Sequence, residues 1–235
     1  MRFPAPAVHI KIQTALYPAG SSSKEEKMQQ ITTNRKKNLT FTLTATAMLT
    51  AMIVVLAFTP IGYIRVFALS ITLVIVPVII GAIALGPAAG AFLGFVFGCT
   101  SFAQCFMGDA LGAILISVSP VGTFVNCVVT RTLVGLLCGL IFRAVQKTGK
   151  WSYAIAGASG ALLNTILFLG CLALIFGRVK FTAEQAESLG GLDSVMSTII
   201  AIAIGVNCPI EIAVCAIFGS AIGGAVTAAM KRFNK

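Results

Sequence analysis

Arg131 is the residue from which a chemistry can be argued. It stands inside a long apolar run, GTFVNCVVTRTLVGLLCGLIF, accompanied by Asn126 and Thr130. Its planar guanidinium fork matches the two oxygens of a carboxylate. Counted from the outer end of the run it lies ~12–14 Å deep at 1.5 Å per residue. An arginine at the centre of a membrane helix costs ~2.5–3.5 kcal/mol on insertion scales, too much to leave without a partner or water. Two other apolar runs carry polar groups, Asn164-Thr165 in one and Asn207 with Glu211 in the other. The last two are four residues apart and share a helix face. Pro209 between them removes a backbone donor and leaves a carbonyl free to point into a cavity. Two arrangements are compatible with this inventory. In one, Arg131 and Glu211 form a buried ion pair and the asparagines and Thr130 bind helix to helix. In the other, Arg131, Asn126, Asn164, Thr165, Asn207 and Glu211 line an outward-opening pocket for a small polar molecule bearing an anionic group. Arg131 would then receive a carboxylate while the amides bond hydroxyls and amides. Tyr63 and Arg65, in the first outer loop, either close over such a ligand or anchor the membrane interface.

Other chemistries find no support. There is no GxxxxGK[ST] loop, so ATP is not bound that way. No paired-carboxylate, Ser-His-Asp or metal-ligand constellation suggests an enzyme. The only histidine is His9, and the seven cysteines form no CxxC pair, so they read as small buried thiols. The formal charge of +10 raises the question of nucleic acid. The basic residues flank apolar spans without aromatic interleaving, which favours membrane topology instead.

The elements that must position these residues follow from composition. A chain that is 57% hydrophobic and 10% charged over 235 residues is an integral membrane protein. Residues 1–38 are polar and are expected to form a disordered cytoplasmic tail. Residues 39–230 are expected to form six transmembrane helices, and 231–235 a basic cytoplasmic tail. The spans run from about Leu39 to Phe58, Phe67 to Leu85, Ala88 to Met107, Gly122 to Phe142, Ser152 to Phe176 and Ser197 to Met230. Each offers roughly 18 or more mostly apolar residues, enough for a ~30 Å hydrocarbon core. The last is longer than needed, and Pro209 is its expected kink point. Lys and Arg concentrate in the N-terminal tail, at Arg143, Lys147 and Lys150, and at Lys231, Arg232 and Lys235, against Arg65, Arg178 and Lys180 on the other side. By the positive-inside rule both termini are cytoplasmic, and loops 60–66, 108–121 and 177–196 face outward. The expected fold is therefore an all-α, six-helix, multi-pass bundle in the cell membrane.

Within it, ITLVIVPVIIGAIALGPAAGAFLGFVFGCTS (71–101) reads as two helices broken at Gly86–Pro87. Gly86, Gly90, Gly94 and Gly98 recur every four residues, a stripe without side chains along which another helix can approach closely. Ala47-x-x-x-Ala51 on the first span is another small-residue packing pattern, common in itself.

The same stretch resembles the second and third helices of the substrate-binding (S) components of energy-coupling factor (ECF) vitamin transporters. It is most similar to the pantothenate type, with the pattern IT-x-x-x-x-PV-x-x-GA-x-x-LGP-x-x-GAFLG-x-x-FG. The likeness extends over residues 39–230. Ala47-x-x-x-Ala51 sits where the family places its AxxxA docking surface for the transmembrane coupling subunit. Thr130-Arg131-x-x-x-Gly135 resembles the P-R-x-L-x-G pattern of the fourth helix, with Thr130 in place of proline. Leu163-Asn164-Thr165-x-Leu167 resembles the fifth-helix NT motif. Asn207-Cys208-Pro209-Ile210-Glu211 is similar to the sixth-helix N-G-x-x-E pattern, with Cys208 in place of glycine. Gly98-Cys99-Thr100 lacks the aspartate that other vitamin types carry. The resemblance implies an S-component-like bundle that binds a vitamin, pantothenate foremost, with high affinity and no cofactor of its own. It also implies partners in the membrane: the coupling subunit and two ATPase subunits, which use the ATP. Alternatives are another B vitamin or related small polar metabolite, a self-sufficient carrier or channel with Arg131–Glu211 as its relay, or a membrane subunit with no ligand.

Overall fold

The computed structural model describes residues 19–59, 63–66, 69–107, 110–149, 151–176 and 208–225. The chain divides at Thr44–Ala45 into two units. The first holds the polar beginning of helix α1 (Ala19–Ala57), where the Thr44 hydroxyl donates to the Thr40 carbonyl at 2.9 Å. The second holds the rest of α1 and the other described elements. A two-stranded antiparallel hairpin follows, β1 (Tyr63–Val66) and β2 (Leu69–Thr72). Then come α2 (Ile75–Ala84), α3 (Pro87–Gln104), α4 (Ala110–Val118), α5 (Pro120–Thr148), α6 (Trp151–Phe176) and α7 (Cys208–Gly223).

Several expectations change. The fold is all-helical apart from one short hairpin, which occupies the expected first outer loop and the expected beginning of the second span. That helix starts at Ile75 rather than Phe67, because Ile64, Val66, Ile71 and Thr72 are β-branched and stand in the paired strands of the hairpin. The 108–121 loop contains α4. Helix α1 runs back to Ala19, through the polar segment expected to be irregular. Among the described residues, three helices are long and apolar enough to cross a membrane: Leu39–Ala57 within α1, then α5 and α6; α2 and α7 are shorter apolar helices. The expected start of the sixth span, the 177–196 loop and both chain termini lie outside the described residues.

The break at Gly86–Pro87 falls where expected. Gly86 has φ +98°, a conformation side-chain-bearing residues rarely adopt. Pro87, with no N–H to leave unpaired, opens α3. The glycine stripe then lies against α5. A Cβ at Gly90 would come within 2.5 Å of the Gly135 carbonyl oxygen, and one at Gly98 within 2.6 Å of the Val128 Cα. Gly94 abuts the Arg131 carbonyl, and Gly139 returns the contact against Pro87. Main chain thus packs on main chain along most of α3. In a bilayer this matters, because apolar burial supplies little drive for one helix to meet another. Around this seam the core gathers Ile53, Val74, Ile75, Val78, Ile79, Leu93, Phe97, Val134, Cys138 and Cys215. Large apolar residues such as Met48, Met52, Val55, Phe92, Leu140 and Ile166 point outward, as on a lipid-facing surface. The sulfurs of Cys105 and Cys127 lie 4.0 Å apart.

Candidate substrate-binding site

Arg131 is held by an irregularity in α5. Residues Val125–Val129 form a π-helical turn, one residue wider than an α-turn. The three side chains that follow take up the carbonyls of that turn. The Thr130 hydroxyl donates to the Asn126 carbonyl, and that of Thr132 to the Val128 carbonyl at 2.8 Å. Arg131 Nη1 donates to the Asn126 and Cys127 carbonyls, both at 3.4 Å. The extra residue makes a spacing of five behave as a spacing of four does in an α-helix, which brings Asn126 and Arg131 toward one face.

Both residues are buried, Arg131 at 8% exposure and Asn126 at 0%. Their remaining polar atoms are unusual. Arg131 Nε and both amide atoms of Asn126 are buried without a hydrogen-bond partner among the described residues. Buried polar groups are normally satisfied, and one left unpaired costs about 1–3 kcal/mol. Two aromatic rings flank the guanidinium, Phe97 from α3 at 4.9 Å and Phe168 from α6 at 5.2 Å from its carbon to the ring centroid.

Glu211, 4% exposed, is engaged elsewhere. One carboxylate oxygen accepts the Thr72 backbone N–H at 3.0 Å, and the other accepts the Asn164 side-chain amide at 3.4 Å. Among the described residues, no ion pair joins it to Arg131. The buried ion pair considered from the sequence does not form. Glu211 instead ties the end of the hairpin to α7 and α6. The register of that hairpin sets Tyr63 opposite Thr72 and Arg65 opposite Ser70. Thr165 is half-buried, and its hydroxyl donates back to the Ala161 carbonyl at 3.4 Å. Asn207 lies outside the described residues, and Pro209 stands in the first turn of the described part of α7. On α1, Ala47 and Ala51 are both exposed, while Ile53 and Ala57 turn into the core.

The structure thus gathers Arg131 and Asn126 on one turn, and Glu211, Asn164 and Thr72 in a second cluster. Sequence reasoning missed Phe97, Phe168 and Thr72. The first two read as ordinary apolar residues, although Phe168 follows Asn164 by four and shares its face.

Residues 41–223 match the family described as ECF transporter, substrate-specific component. The chain belongs to that family. As a substrate-specific component it is an integral membrane transport protein, not an enzyme. The chain is also similar to the pantothenic acid transporter PanT of Lactococcus lactis subsp. cremoris (strain MG1363), 33% identical over 121 residues. That match spans 47% of this chain and 60% of the relative. The family match includes the hairpin, the π-turn and both polar clusters.

Proposed function

We propose that this substrate-specific component captures pantothenate from outside the cell and delivers it to a transmembrane coupling subunit driven by two ATPase subunits. The observation that carries the reading is Arg131. It is a buried cation with an unpartnered Nε, and Glu211 is occupied by Thr72 and Asn164. A buried guanidinium that lacks an ion-pair partner is suited to receive one with its ligand. Pantothenate brings one carboxylate together with hydroxyls and an amide, and the unpartnered amide of Asn126 supplies one donor and one acceptor for such groups. The similarity to a pantothenic acid transporter supports the same vitamin. Asn164, Thr165, Asn207, Tyr63 and Arg65 complete the proposed site, Glu211 acting through the hairpin it holds. Exposed Ala47 and Ala51 on α1 offer a flat patch for the coupling subunit. The six-span topology with cytoplasmic termini belongs to the same proposal, resting on the distribution of Lys and Arg.

The test is calorimetric titration of the purified protein in detergent against a panel of vitamins, without metal or nucleotide. Pantothenate should bind at one site, and Arg131→Ala should weaken it strongly. Silence across the acidic vitamins, or an Arg131→Ala variant binding as well as wild type, would end the proposal.

A further inference from the structure

A guanidinium offers a carboxylate two edges for a pair of parallel hydrogen bonds, Nη1/Nη2 at its tip and Nε/Nη2 along its side. In Arg131 the tip is half spent, since Nη1 already donates to the carbonyls of Asn126 and Cys127. The side is free: Nε is buried without a partner, and Nη2 makes no hydrogen bond among the described residues. We propose that the ligand's acidic group docks side-on, on the Nε/Nη2 edge, and that Phe97 and Phe168 are the positioning residues that keep this edge available. The proposal rests on the binding function above and goes further by naming the edge and its supports.

A long side chain in a low-dielectric interior moves toward the nearest acceptor, and Glu211 is a carboxylate on α7, which like α5 packs against α6. Two features hold Arg131 back. The wide turn gives its tip two carbonyls on its own helix. The rings of Phe97 and Phe168, at 4.9 and 5.2 Å, flank the cation and stabilise its charge through their faces. Ring faces stabilise a cation without consuming its in-plane N–H donors as an oxygen would. The charge is therefore supported while the hydrogen-bonding edge stays open. The rings are themselves fixed. Phe97 is fully buried and adjoins Gly98, whose Cα lies against the α5 main chain. Phe168 is half-buried on the Asn164 face of α6.

The test compares pantothenate with its neutral alcohol analogue, pantothenol, by titration of wild type, Phe97→Leu, Phe168→Leu and Phe168→Trp. Wild type should prefer the acid. Either leucine variant should lose about tenfold or more in affinity for the acid and little for the alcohol. Phe168→Trp, which keeps a ring face over the cation, should retain the preference. Leucine variants that keep the full preference overturn the proposal, as do variants that lose both ligands equally. A second readout needs no ligand: the Nε–H resonance of Arg131 in 15N-arginine-labelled protein should be a single restrained signal that broadens or shifts in both leucine variants. A signal unchanged in both refutes the positioning role. Wild type that binds neither compound defeats the vitamin assignment, and the Nε–H signal then decides the positioning role alone.

Discussion

Replacing Glu211 by alanine should release the hairpin. The side chain is almost fully buried and accepts hydrogen bonds from the Thr72 N–H at 3.0 Å and the Asn164 amide at 3.4 Å. Removing these acceptors takes a buried partner from each donor, at a cost of about 1–3 kcal/mol per lost hydrogen bond. Water entering from the hairpin side would satisfy Thr72 first, so the local effect on the hairpin is placed at about 1–3 kcal/mol, one donor's share. At about 1.4 kcal/mol per decade, amide exchange at Thr72 should accelerate roughly 5- to 150-fold. Glu211→Gln is the informative control. It keeps one acceptor for Thr72 but sets its own amide donors against those of Asn164, so its effect should fall between wild type and alanine. Hydrogen exchange read by mass spectrometry on peptides covering 63–76, in detergent, measures both. Exchange in Glu211→Ala equal to wild type would refute the latch; so would a glutamine variant as fast as alanine.

Arg131→Lys should bind an acidic ligand about tenfold or more weakly than wild type, because a point charge cannot reproduce the two-donor edge; titration checks it. Asn126→Leu should stabilise the protein while impairing binding: replacing two unpartnered buried polar atoms with an apolar group of similar size should gain about 1–3 kcal/mol, read as a higher Tm, together with lost ligand affinity. Gly98→Leu should destabilise by about 1–3 kcal/mol or more, because even its Cβ would meet the Val128 Cα at 2.6 Å and α3 would have to move off α5; detergent melting curves test this. Ala47→Leu should leave vitamin binding unchanged and reduce co-purification with the coupling subunit, since Ala47 is exposed and outside the core.

The scaffold was largely legible from the sequence. The Gly86–Pro87 break and the four-residue glycine spacing are covalent facts with one steric outcome, and the structure realises both. Arg131, Asn126, Asn164 and Glu211 stood out because polar groups in an apolar run must be satisfied or used. The hairpin was harder. YIRVFALSIT is nearly continuous in apolar residues, and such a run suits a strand or a helix until its partner is known. The π-turn has no composition of its own. Its trace lies in Thr130-Arg131-Thr132, three side chains able to take up carbonyls, and that reading becomes possible only with the turn in view. The partners of Glu211 were left open between an ion pair with Arg131 and a place in a pocket, because residue types alone allow both. A backbone N–H from 139 residues earlier in the chain cannot be anticipated from residue types.

The seam between α3 and α5 has a consequence for diversification. Its separation is fixed by peptide backbone meeting peptide backbone at Gly90, Gly94, Gly98 and Gly135, with few side chains acting as spacers. Residues beside the seam, such as Phe97 or Asn126, can therefore be exchanged without resetting the distance between the two rods that carry them. A frame built in this way is free to change its cargo one side chain at a time.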